Sequence, residues 1–254
     1  MNLDPVIILG YKRSGTSLLR VILNSHPDIA IGPEIKFMQR VVKKYPQTFE
    51  EFLQIAKREV EDFGYSESTL RKIFENSFSA AELMKNWCDE YRIESNKQIW
   101  GDKTPQSFKY LKLISEKFPE ALYVHIVRHP FEVMRSSKKR GQYHGIHTIL
   151  GWVMSNVNIR YVKHKNYLFI RYEDFIQDPD KHIRIILSKL GKEYVDLTAT
   201  YQNYNHGRLA EEDSWNKPIL KTQVKKKEIL STLDKFLIRI LCLRYFYKYG
   251  YTAN

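Results

Sequence analysis

The sequence is poor in cysteine, and this excludes a fold that depends on a disulfide framework. Only Cys88 and Cys242 occur among 254 residues, so we expect a reducing compartment and a cytoplasmic location. The small numbers of glycine and proline, 11 and 9, exclude collagen-like and low-complexity chains. No apolar run reaches the ~18 residues of a spanning helix. The first apolar run also lacks a preceding basic stretch, so we expect neither a signal peptide nor integral membrane association.

What the chain does contain is enough apolar side chain to fold. Hydrophobic residues make up 43% and aromatic residues 13% of the sequence, which excludes a disordered chain. We find no internal repeat and no linker, so residues 1–254 are expected to form a single domain. Lys and Arg exceed Asp and Glu by 41 to 29, a net charge of +12. This excess predicts an anionic partner, which could be a nucleotide, nucleic acid, acidic glycan or membrane surface.

Short apolar runs alternate with helical patterns, which is typical of an α/β fold. We predict strands at residues 6–9, 98–100, 121–127 and 167–170, and helices at 17–24, 108–117, 181–190 and 224–247, with a further helix after Pro130. This order predicts a P-loop-like domain whose central parallel β-sheet is flanked by helices. Residues 37–97 are charged and helical, and we interpret them as a helical insertion after the first α/β unit that packs over one end of the sheet.

The loop after the first predicted strand has the frame of a phosphate-binding P-loop. It begins at Gly10 and continues through Lys12, Arg13, Ser14, Gly15, Thr16 and Ser17. The backbone N–H groups of such a loop, together with the helix N-terminus behind it, bind anions. Thr16 occupies the position of the usual P-loop lysine, and the positive charge instead lies on Lys12 and Arg13. The alternative is a glycine loop that only turns the chain.

A cation follows the strand at 121–127, where a P-loop NTPase carries a metal-binding aspartate. This cation is Arg128, and Ser136 and Arg140 follow at spacings that could converge on one phosphate. A solvated basic helix face is the alternative interpretation of this segment. Arginine at this position binds an anion and not a metal, and the histidines lack metal-ligand spacing, so we expect no metal site.

Taken together, five segments resemble the sulfotransferases that use 3′-phosphoadenosine-5′-phosphosulfate (PAPS). They are KRSGTSLLR at 12–20, HPDIAIGPE at 26–34, DKTP at 102–105, VRHPFEVMRSS at 127–137 and RYEDFIQDP at 171–179. The motifs are closer to the tyrosylprotein and bacterial carbohydrate-type branches than to the cytosolic phenol and steroid enzymes. The resemblance implies that residues 13–17 hold the 5′-phosphosulfate, that Arg128 and Ser136 bind the 3′-phosphate, and that Arg140 adds a contact.

The same resemblance assigns two further residues to the nucleotide. Tyr172 matches a tyrosine near the adenine, and Lys217 matches a lysine in a late loop that closes over the nucleotide. The match around Lys217 is the loosest of the set. The cytosolic enzymes carry a histidine shortly after the lysine of their KT motif, and here Thr104 and Pro105 stand in that place.

Transfer of a sulfuryl group needs a general base and positive charge near the leaving phosphate. Glu34 follows Gly32 and Pro33 after the first α/β unit, so we predict that it faces the anion site as the base. An ordinary loop carboxylate or helix cap is the alternative for Glu34. Lys103, assisted by Arg13 and Lys12, is the candidate for stabilising charge. A surface ion pair with Asp102 is the alternative for Lys103.

These residues predict a metal-independent sulfotransferase that acts on a hydroxyl of a carbohydrate or a peptidyl tyrosine, without a nucleic-acid partner. The alternatives are a P-loop kinase of a nucleotide or small molecule and a non-enzymatic binder of nucleic acid. The sequence sets no oligomeric state. His125 lies in a predicted strand, where a hydrogen-bonded core residue is expected. A C-terminal apolar stripe that includes Leu233, Phe236 and Ile240 is expected to pack in the core in preference to anchoring on a membrane.

Overall fold

A five-stranded parallel sheet forms the centre of the molecule. The computed structural model describes residues 5–203 and 229–252. Its strands, β1 to β5 in chain order, are Val6–Leu9, Ile29–Ile31, Ile99–Asp102, Leu122–Val127 and Tyr167–Arg171. They are arranged in the order β2-β3-β1-β4-β5, and each pair of neighbours is parallel. The predicted α/β fold, a central parallel sheet flanked by helices, is confirmed.

Helices connect the strands and cover both faces of the sheet. In the described part of the chain, the α-helices α1 to α12 are Thr16–Asn24, Met38–Val41, Phe49–Phe63, Glu67–Glu75, Ala80–Glu94, Leu111–Lys117, Pro130–Lys139, Ile146–Val157, Tyr172–Gln177, Pro179–Lys189, Leu197–Thr200 and Thr232–Tyr249. Short 3-10 helices occur at Ser107–Tyr110, Asn158–Tyr161, His164–Asn166 and Tyr201–Asn203. The segment between β2 and β3 contains α2 to α5 and no strand, as expected for a helical insertion.

Local sequence signals explain where several helices begin. Thr48, Ser66, Ser79 and Ser231 precede α3, α4, α5 and α12, and each side chain accepts a hydrogen bond from a backbone N–H in the first turn. These caps satisfy N–H groups that the helix itself leaves without an acceptor. These capping residues set where the helices begin. The apolar side chains on one face of each inserted helix then pack against the core.

Three apolar clusters make up the described core. One lies between the sheet and the inserted helices around Trp87, and another lies between the sheet, α1 and α10 around Ile22 and Ile186. The third joins α7, α8 and α12 around Trp152. Strands β1 to β4 are buried along their whole length. Because the strands are parallel and covered on both faces, their carboxyl ends meet at one edge of the sheet.

Several elements differ from the sequence predictions, among them the following three. Strand β2 was not predicted, because three residues between a proline and a glycine are too few to establish a period. Helix α8 was also not predicted, because its first turn carries no side-chain cap. The C-terminal helix begins at Thr232, and residues 229–231 precede it without helical structure, so the predicted start at 224 is wrong over these residues. Ser231 caps the helix and sets this boundary.

The expectation that the C-terminal stripe packs in the core is wrong for three of its residues. Leu233, Phe236 and Ile240 are 64%, 56% and 55% exposed. The core contacts of α12 come instead from the opposite face, where Ile238 and Cys242 are buried. Both faces of this helix are apolar, so periodicity alone could not show which face packs inward. No helix within residues 5–203 and 229–252 combines the length and hydropathy needed to cross a bilayer.

Candidate functional site

Every strand of the sheet contributes to a group of polar residues at its carboxyl edge. Glu34 follows β2, Lys103 follows β3, residues 10–15 follow β1, Arg128 follows β4 and Tyr172 follows β5. This is also the spatial order across the sheet. The connections from β1 and β4 leave in opposite directions, which is where open parallel sheets bind their ligands.

The loop after β1 has the backbone shape of an anion site. Arg13 and Gly15 have positive φ angles of 69° and 93°, and Gly15 caps α1 without a side-chain acceptor for the helix N–H groups. No acidic residue occupies the first turn of α1. The hydroxyl of Ser14 is buried and has no hydrogen-bond partner among the described residues. Unsatisfied N–H groups, a buried hydroxyl and a helix N-terminus together fit a phosphate or sulfate group.

Tyr172 packs directly on this loop. A Cβ atom added to Gly15 would lie 2.3 Å from Cδ2 of Tyr172, so only glycine fits at this position. The Arg128 guanidinium lies 4.5 Å from the centre of the same ring. A planar cation therefore lies over an aromatic ring next to the loop, and the pair offers charge and ring surface to a phosphorylated nucleoside.

Two arginines connect the loop to the end of β4 and to α7. Arg128 Nη1 donates to the backbone oxygen of Arg13 at 3.2 Å. Arg13 Nε donates to Ser136 Oγ at 3.1 Å. Arg128 also lies 3.6 Å from a carboxylate oxygen of Glu132. The structure thus brings together three of the predicted nucleotide-site residues, whereas Arg140 lies exposed at the C-terminal cap of α7.

On the other side of the loop, Glu34 and Lys103 form an ion pair. Lys103 Nζ lies 2.5 Å from Glu34 Oε1 and 3.1 Å from Ser17 Oγ. Lys36 Nζ lies 3.0 Å from the second carboxylate oxygen. Burial raises the pKa of Glu34, but the two ammonium groups outweigh it and hold that pKa below its usual value. Burial also lowers the pKa of Lys103, and Glu34 offsets part of this effect.

Buried polar residues support this ion pair from behind. Arg20 is almost fully buried on α1, and its Nη1 donates to the backbone oxygens of Ile31 and Gly32, at 3.2 and 3.1 Å, just before Glu34. Thr104 Oγ1 accepts from the N–H of Ile35 at 3.0 Å. No role for Arg20 or Thr104 was predicted from the sequence. The signal was present for Arg20, because an arginine inside an apolar helical run needs a buried partner.

Asp102 is the last residue of the hydrogen-bonded chain beneath Glu34. It is buried at the end of β3, and its Oδ1 accepts from Thr104 Oγ1 at 2.7 Å. Burial raises the pKa of Asp102 to about 6. The hydrogen-bonded chain from Asp102 through Thr104 to Ile35 therefore links the ends of β2 and β3 beneath Glu34.

A cleft opens beside the loop. Its volume is about 260 Å³, and its lining consists of Tyr11, Lys12, Pro105, Gln106, Phe108, Lys109, His147 and Gly151. The Tyr11 and Phe108 rings lie 6.4 Å apart, and burial raises the pKa of Tyr11 to about 12. Lys12 Nζ donates to the backbone oxygen of Gln142 at 3.0 Å, so its ammonium group lies at the mouth between the loop and α8. None of the described residues that line the cleft is a carboxylate.

A second cavity of about 290 Å³ lies beyond the ends of β4 and β5 and differs in charge. Its lining is His129, Phe131, Glu132, Arg135, Arg171, Glu173, Gly250, Tyr251 and Thr252. Glu173 accepts hydrogen bonds from the His129 N–H and from the Tyr251 hydroxyl at 3.0 and 2.8 Å. These carboxylates make the second cavity a poorer match for a polyanion than the loop. Lys217, predicted to close over the nucleotide, lies outside the described residues.

Over the described ranges, no three His, Cys, Asp or Glu side chains are grouped as metal ligands. His125 confirms the prediction of a hydrogen-bonded core residue, since its Nδ1 lies 2.8 Å from the hydroxyl of Tyr167.

Comparison with known proteins gives a family and several relatives. The model of the Sulfotransferase family matches residues 5–196. A protein-tyrosine sulfotransferase of Drosophila melanogaster is 24% identical over 219 residues, 79% of this chain and 40% of that protein. Nodulation protein NoeE of Sinorhizobium fredii is 28% identical over 137 residues, 52% of this chain and 30% of that protein. An uncharacterized protein of Aquifex aeolicus is 26% identical over 202 residues, 72% of this chain and 25% of that protein. The chain therefore spans between 25% and 40% of the length of these three relatives.

Solved structures share the fold at lower identity. The sulfotransferase domain of the Synechococcus PCC 7002 olefin synthase superposes with a TM-score of 0.64 at 21% identity, covering 95% of both chains. The sulfotransferase domain from the curacin biosynthetic pathway gives a TM-score of 0.62 at 19% identity, covering 99% of both. These two likenesses concern the fold, and they extend over nearly all of this chain.

Proposed function

Because the chain belongs to the sulfotransferase family, we propose that it transfers a sulfuryl group from PAPS to a hydroxyl acceptor. One observation carries the proposal. Lys103 Nζ lies between Glu34 and Ser17, 2.5 Å from the carboxylate and 3.1 Å from the hydroxyl. A proton acceptor, a cation and an anion-binding loop are thereby adjacent, and sulfuryl transfer requires all three.

The residues around the loop fit the donor by their chemistry. Residues 12–17 offer backbone N–H groups, the buried Ser14 hydroxyl and the Lys12 and Arg13 side chains to a 5′-phosphosulfate. Arg128 and Ser136 are our candidates for the 3′-phosphate. Tyr172 is our candidate for contact with the adenine. Arg140 and Lys217 stay part of the proposal as further nucleotide contacts.

Glu34 acts as general base in this proposal. The two lysines that lower its pKa keep it ionised near neutral pH, so it is ready to accept a proton. With an anion in the loop, the Lys103 ammonium is shared with that anion, and the pKa of Glu34 rises because its burial persists. The acceptor hydroxyl then gives its proton to Glu34. The bond from its oxygen to sulfur forms as the bond from sulfur to the phosphate oxygen breaks.

Lys103 and Arg13 stabilise the charge that develops on that phosphate oxygen. Lys103 is fully buried and Arg13 is held by Ser136, so both cations are fixed before the reaction begins. Charges that are already oriented need no reorganisation as the bond breaks.

The acceptor is proposed to enter through the cleft beside the loop. Tyr11 and Phe108 supply ring surfaces for a sugar or a tyrosyl ring, and Lys12, Lys109 and His147 surround them with basic groups. This lining favours a hydroxyl that has an anionic group nearby, on a carbohydrate or a tyrosine peptide. Residues 37–97 are proposed as the acceptor side, and Gln39 accepts a hydrogen bond from Lys109 at 2.8 Å. A cytoplasmic location is part of the same proposal.

Specific residues argue against the two alternative functions. A P-loop kinase needs a lysine where Thr16 stands and an acidic metal ligand where Arg128 stands. A nucleic-acid binder would use an extended basic surface, whereas these cations lie at strand ends around one loop.

Ligand-induced stability tests the donor. We expect 3′-phosphoadenosine-5′-phosphate (PAP), the reaction product, to raise the melting temperature in the presence of a chelator. At 100 times its Kd a ligand adds about 2.7 kcal/mol, which is roughly 5–10 °C for a chain of this size. A shift that needs ATP with Mg²⁺ and is absent with PAP would replace this proposal with a kinase. Binding of DNA without either nucleotide would favour the nucleic-acid alternative.

A further inference from the structure

Helix α12 exposes a continuous row of large apolar side chains. The row consists of Leu233, Phe236, Ile240, Leu243 and Tyr247, which are between 48% and 81% exposed. Their spacings alternate between three and four residues, so they lie on one side of the helix within an arc of about 80°. Over 14 residues the row is about 21 Å long. A row of this length is more than the scattered apolar residues of an ordinary surface.

Within residues 5–203 and 229–252, the fold does not require these side chains to be apolar. The opposite side of α12 supplies the packing, with Ile238, Cys242 and Tyr249 all buried against α7, α8 and the sheet. Substitution of the exposed row by polar residues would leave that packing intact. The row therefore indicates a surface that meets something outside the described chain.

The exposed charges that α12 itself carries beside this row are all positive. Arg239, Arg244 and Lys248 flank it and are exposed. The acidic residue of this helix, Asp234, is turned inward, where it accepts hydrogen bonds from Tyr143 at 2.6 Å and Lys138 at 3.2 Å. An apolar row between cations is complementary to a surface that is apolar inside and negative at its rim.

We propose that the exposed row of α12 docks on an anionic lipid bilayer. The apolar side chains would enter the boundary between headgroups and acyl chains, and the flanking cations would lie among anionic headgroups. Phe236 and Tyr247 are of the type that favours this boundary. A second copy of the chain fits less well, because pairing two such rows would bring cationic flanks together without carboxylates to compensate them.

The adjoining helix connects this surface to the cleft. α8 packs on α12 through the Trp152 and Tyr245 rings, 5.6 Å apart. It exposes an apolar row of its own, Ile146, Leu150 and Met154, each between 40% and 47% exposed. The residues that follow two of these, His147 and Gly151, line the cleft. Docking through α12 would thus bring the cleft close to the lipid surface.

Vesicle co-sedimentation of the full chain tests the proposal. We expect the protein to bind vesicles of phosphatidylcholine with phosphatidylserine and to bind pure phosphatidylcholine much more weakly. Phe236→Ser with Ile240→Ser should reduce the partition coefficient at least about 10-fold, because two buried apolar side chains are lost. Arg244→Gln with Lys248→Gln should reduce it about 5-fold per cation on the anionic vesicles.

Phe78→Ser is the matched control, since Phe78 is 84% exposed and lies between α4 and α5, far along the chain from α12. It should leave vesicle binding unchanged, and all variants should keep the wild-type melting temperature. Absence of binding to the anionic vesicles, or binding that the α12 double variant does not alter, would overturn the proposal. Sedimentation velocity measures self-association of the chain. Self-association that Phe236→Ser abolishes would overturn the lipid proposal and identify the row as an interface between two copies.

Discussion

At the scale of single residues, the site is organised by one buried lysine. Lys103 has almost no contact with solvent, and it joins the candidate base Glu34 to the hydroxyl of Ser17. A buried ammonium group is costly unless it is paired, so Glu34 stabilises Lys103 as much as Lys103 holds Glu34 in place. The two residues can pair because they follow β2 and β3, which are neighbouring strands of the sheet.

Glu34→Gln should separate catalysis from donor binding. Glutamine keeps the shape of the side chain but cannot take the proton, so we expect turnover to fall ~10²–10⁴-fold. PAP affinity should be nearly unchanged, because the loop and Arg128 remain. Turnover is measured as PAP released from PAPS with the hydroxyl acceptor that works best for the wild type, and affinity by calorimetry.

The control for Glu34→Gln is Glu90→Gln, which also removes a carboxylate paired with a lysine, Lys72, at 2.9 Å. It lies among the inserted helices and should change neither turnover nor PAP affinity.

Arg128→Ala should give the opposite pattern, a loss of PAP affinity that corresponds to one charge-assisted contact of about 1.5–3 kcal/mol. If Glu34→Gln lowers only PAP affinity, its role as base is wrong.

At the scale of secondary-structure elements, the junction of β1 and α1 depends on close packing. Tyr172 begins α9 immediately after β5, and its ring occupies the space that a side chain at position 15 would need. The loop and the ring therefore hold each other in place, which couples the loop between β1 and α1 to the last strand of the sheet.

Gly15→Ala should impair PAP binding more than it impairs folding. The added methyl group meets the Tyr172 ring at 2.3 Å, so either the ring or the loop must move. We expect PAP affinity to fall at least about 10-fold, because the backbone N–H groups of the loop lose their orientation toward the phosphate. Equilibrium unfolding and calorimetry measure the two effects.

Gly191→Ala is the matched control for this loop variant. Gly191 also has a positive φ, 65°, but its added Cβ would meet nothing within 4 Å. It should cost about 1 kcal/mol of stability through backbone strain alone and leave PAP affinity intact. Equal PAP affinities for the two variants would contradict the proposed role of the Gly15–Tyr172 contact.

At the scale of the whole molecule, the burial of a histidine in the sheet makes the stability depend on pH. His125 is buried in β4, and burial lowers its pKa to about 3. The unfolded chain protonates the same residue near its ordinary value of ~6.5. Between these two values the unfolded state binds more protons, so the free energy of unfolding decreases as the pH falls.

His125→Leu should therefore reduce the loss of stability in acid. The wild type is expected to lose up to about 1.4 kcal/mol per pH unit from this one group below ~pH 6.5. Urea unfolding between about pH 7 and pH 5 measures the slope. Tyr167→Phe removes the hydroxyl partner but keeps the histidine, so it should retain the wild-type slope. An unchanged slope in His125→Leu would show that another group causes the acid dependence.

The class of the fold could be predicted from the amino-acid sequence, and so could the residues proposed for the site. Strand β1 was predicted with its exact bounds, because Pro5 and Gly10 enclose a short apolar run. Lys103 and Arg128 were singled out because they follow predicted strands, and Glu34 because it follows the first α/β unit, since parallel strands place such residues at one edge of the sheet. Tyr172 was assigned only through the family resemblance. Their assignment to base, donor and nucleotide contacts is still a prediction.

Which side chains meet, and which helix faces are covered, became visible only in the folded molecule. The positions of Arg20 behind Glu34 and of Tyr172 on Gly15 depend on contacts between distant segments, and no local pattern records such contacts. The same holds for α12, whose two apolar faces are equivalent in sequence. Only the packing of α7 and α8 against Ile238 and Cys242 leaves Phe236 and Ile240 exposed. Local sequence preferences determine whether a segment forms a helix or a strand. Which of its side chains are buried depends on contacts with segments that are distant in the chain.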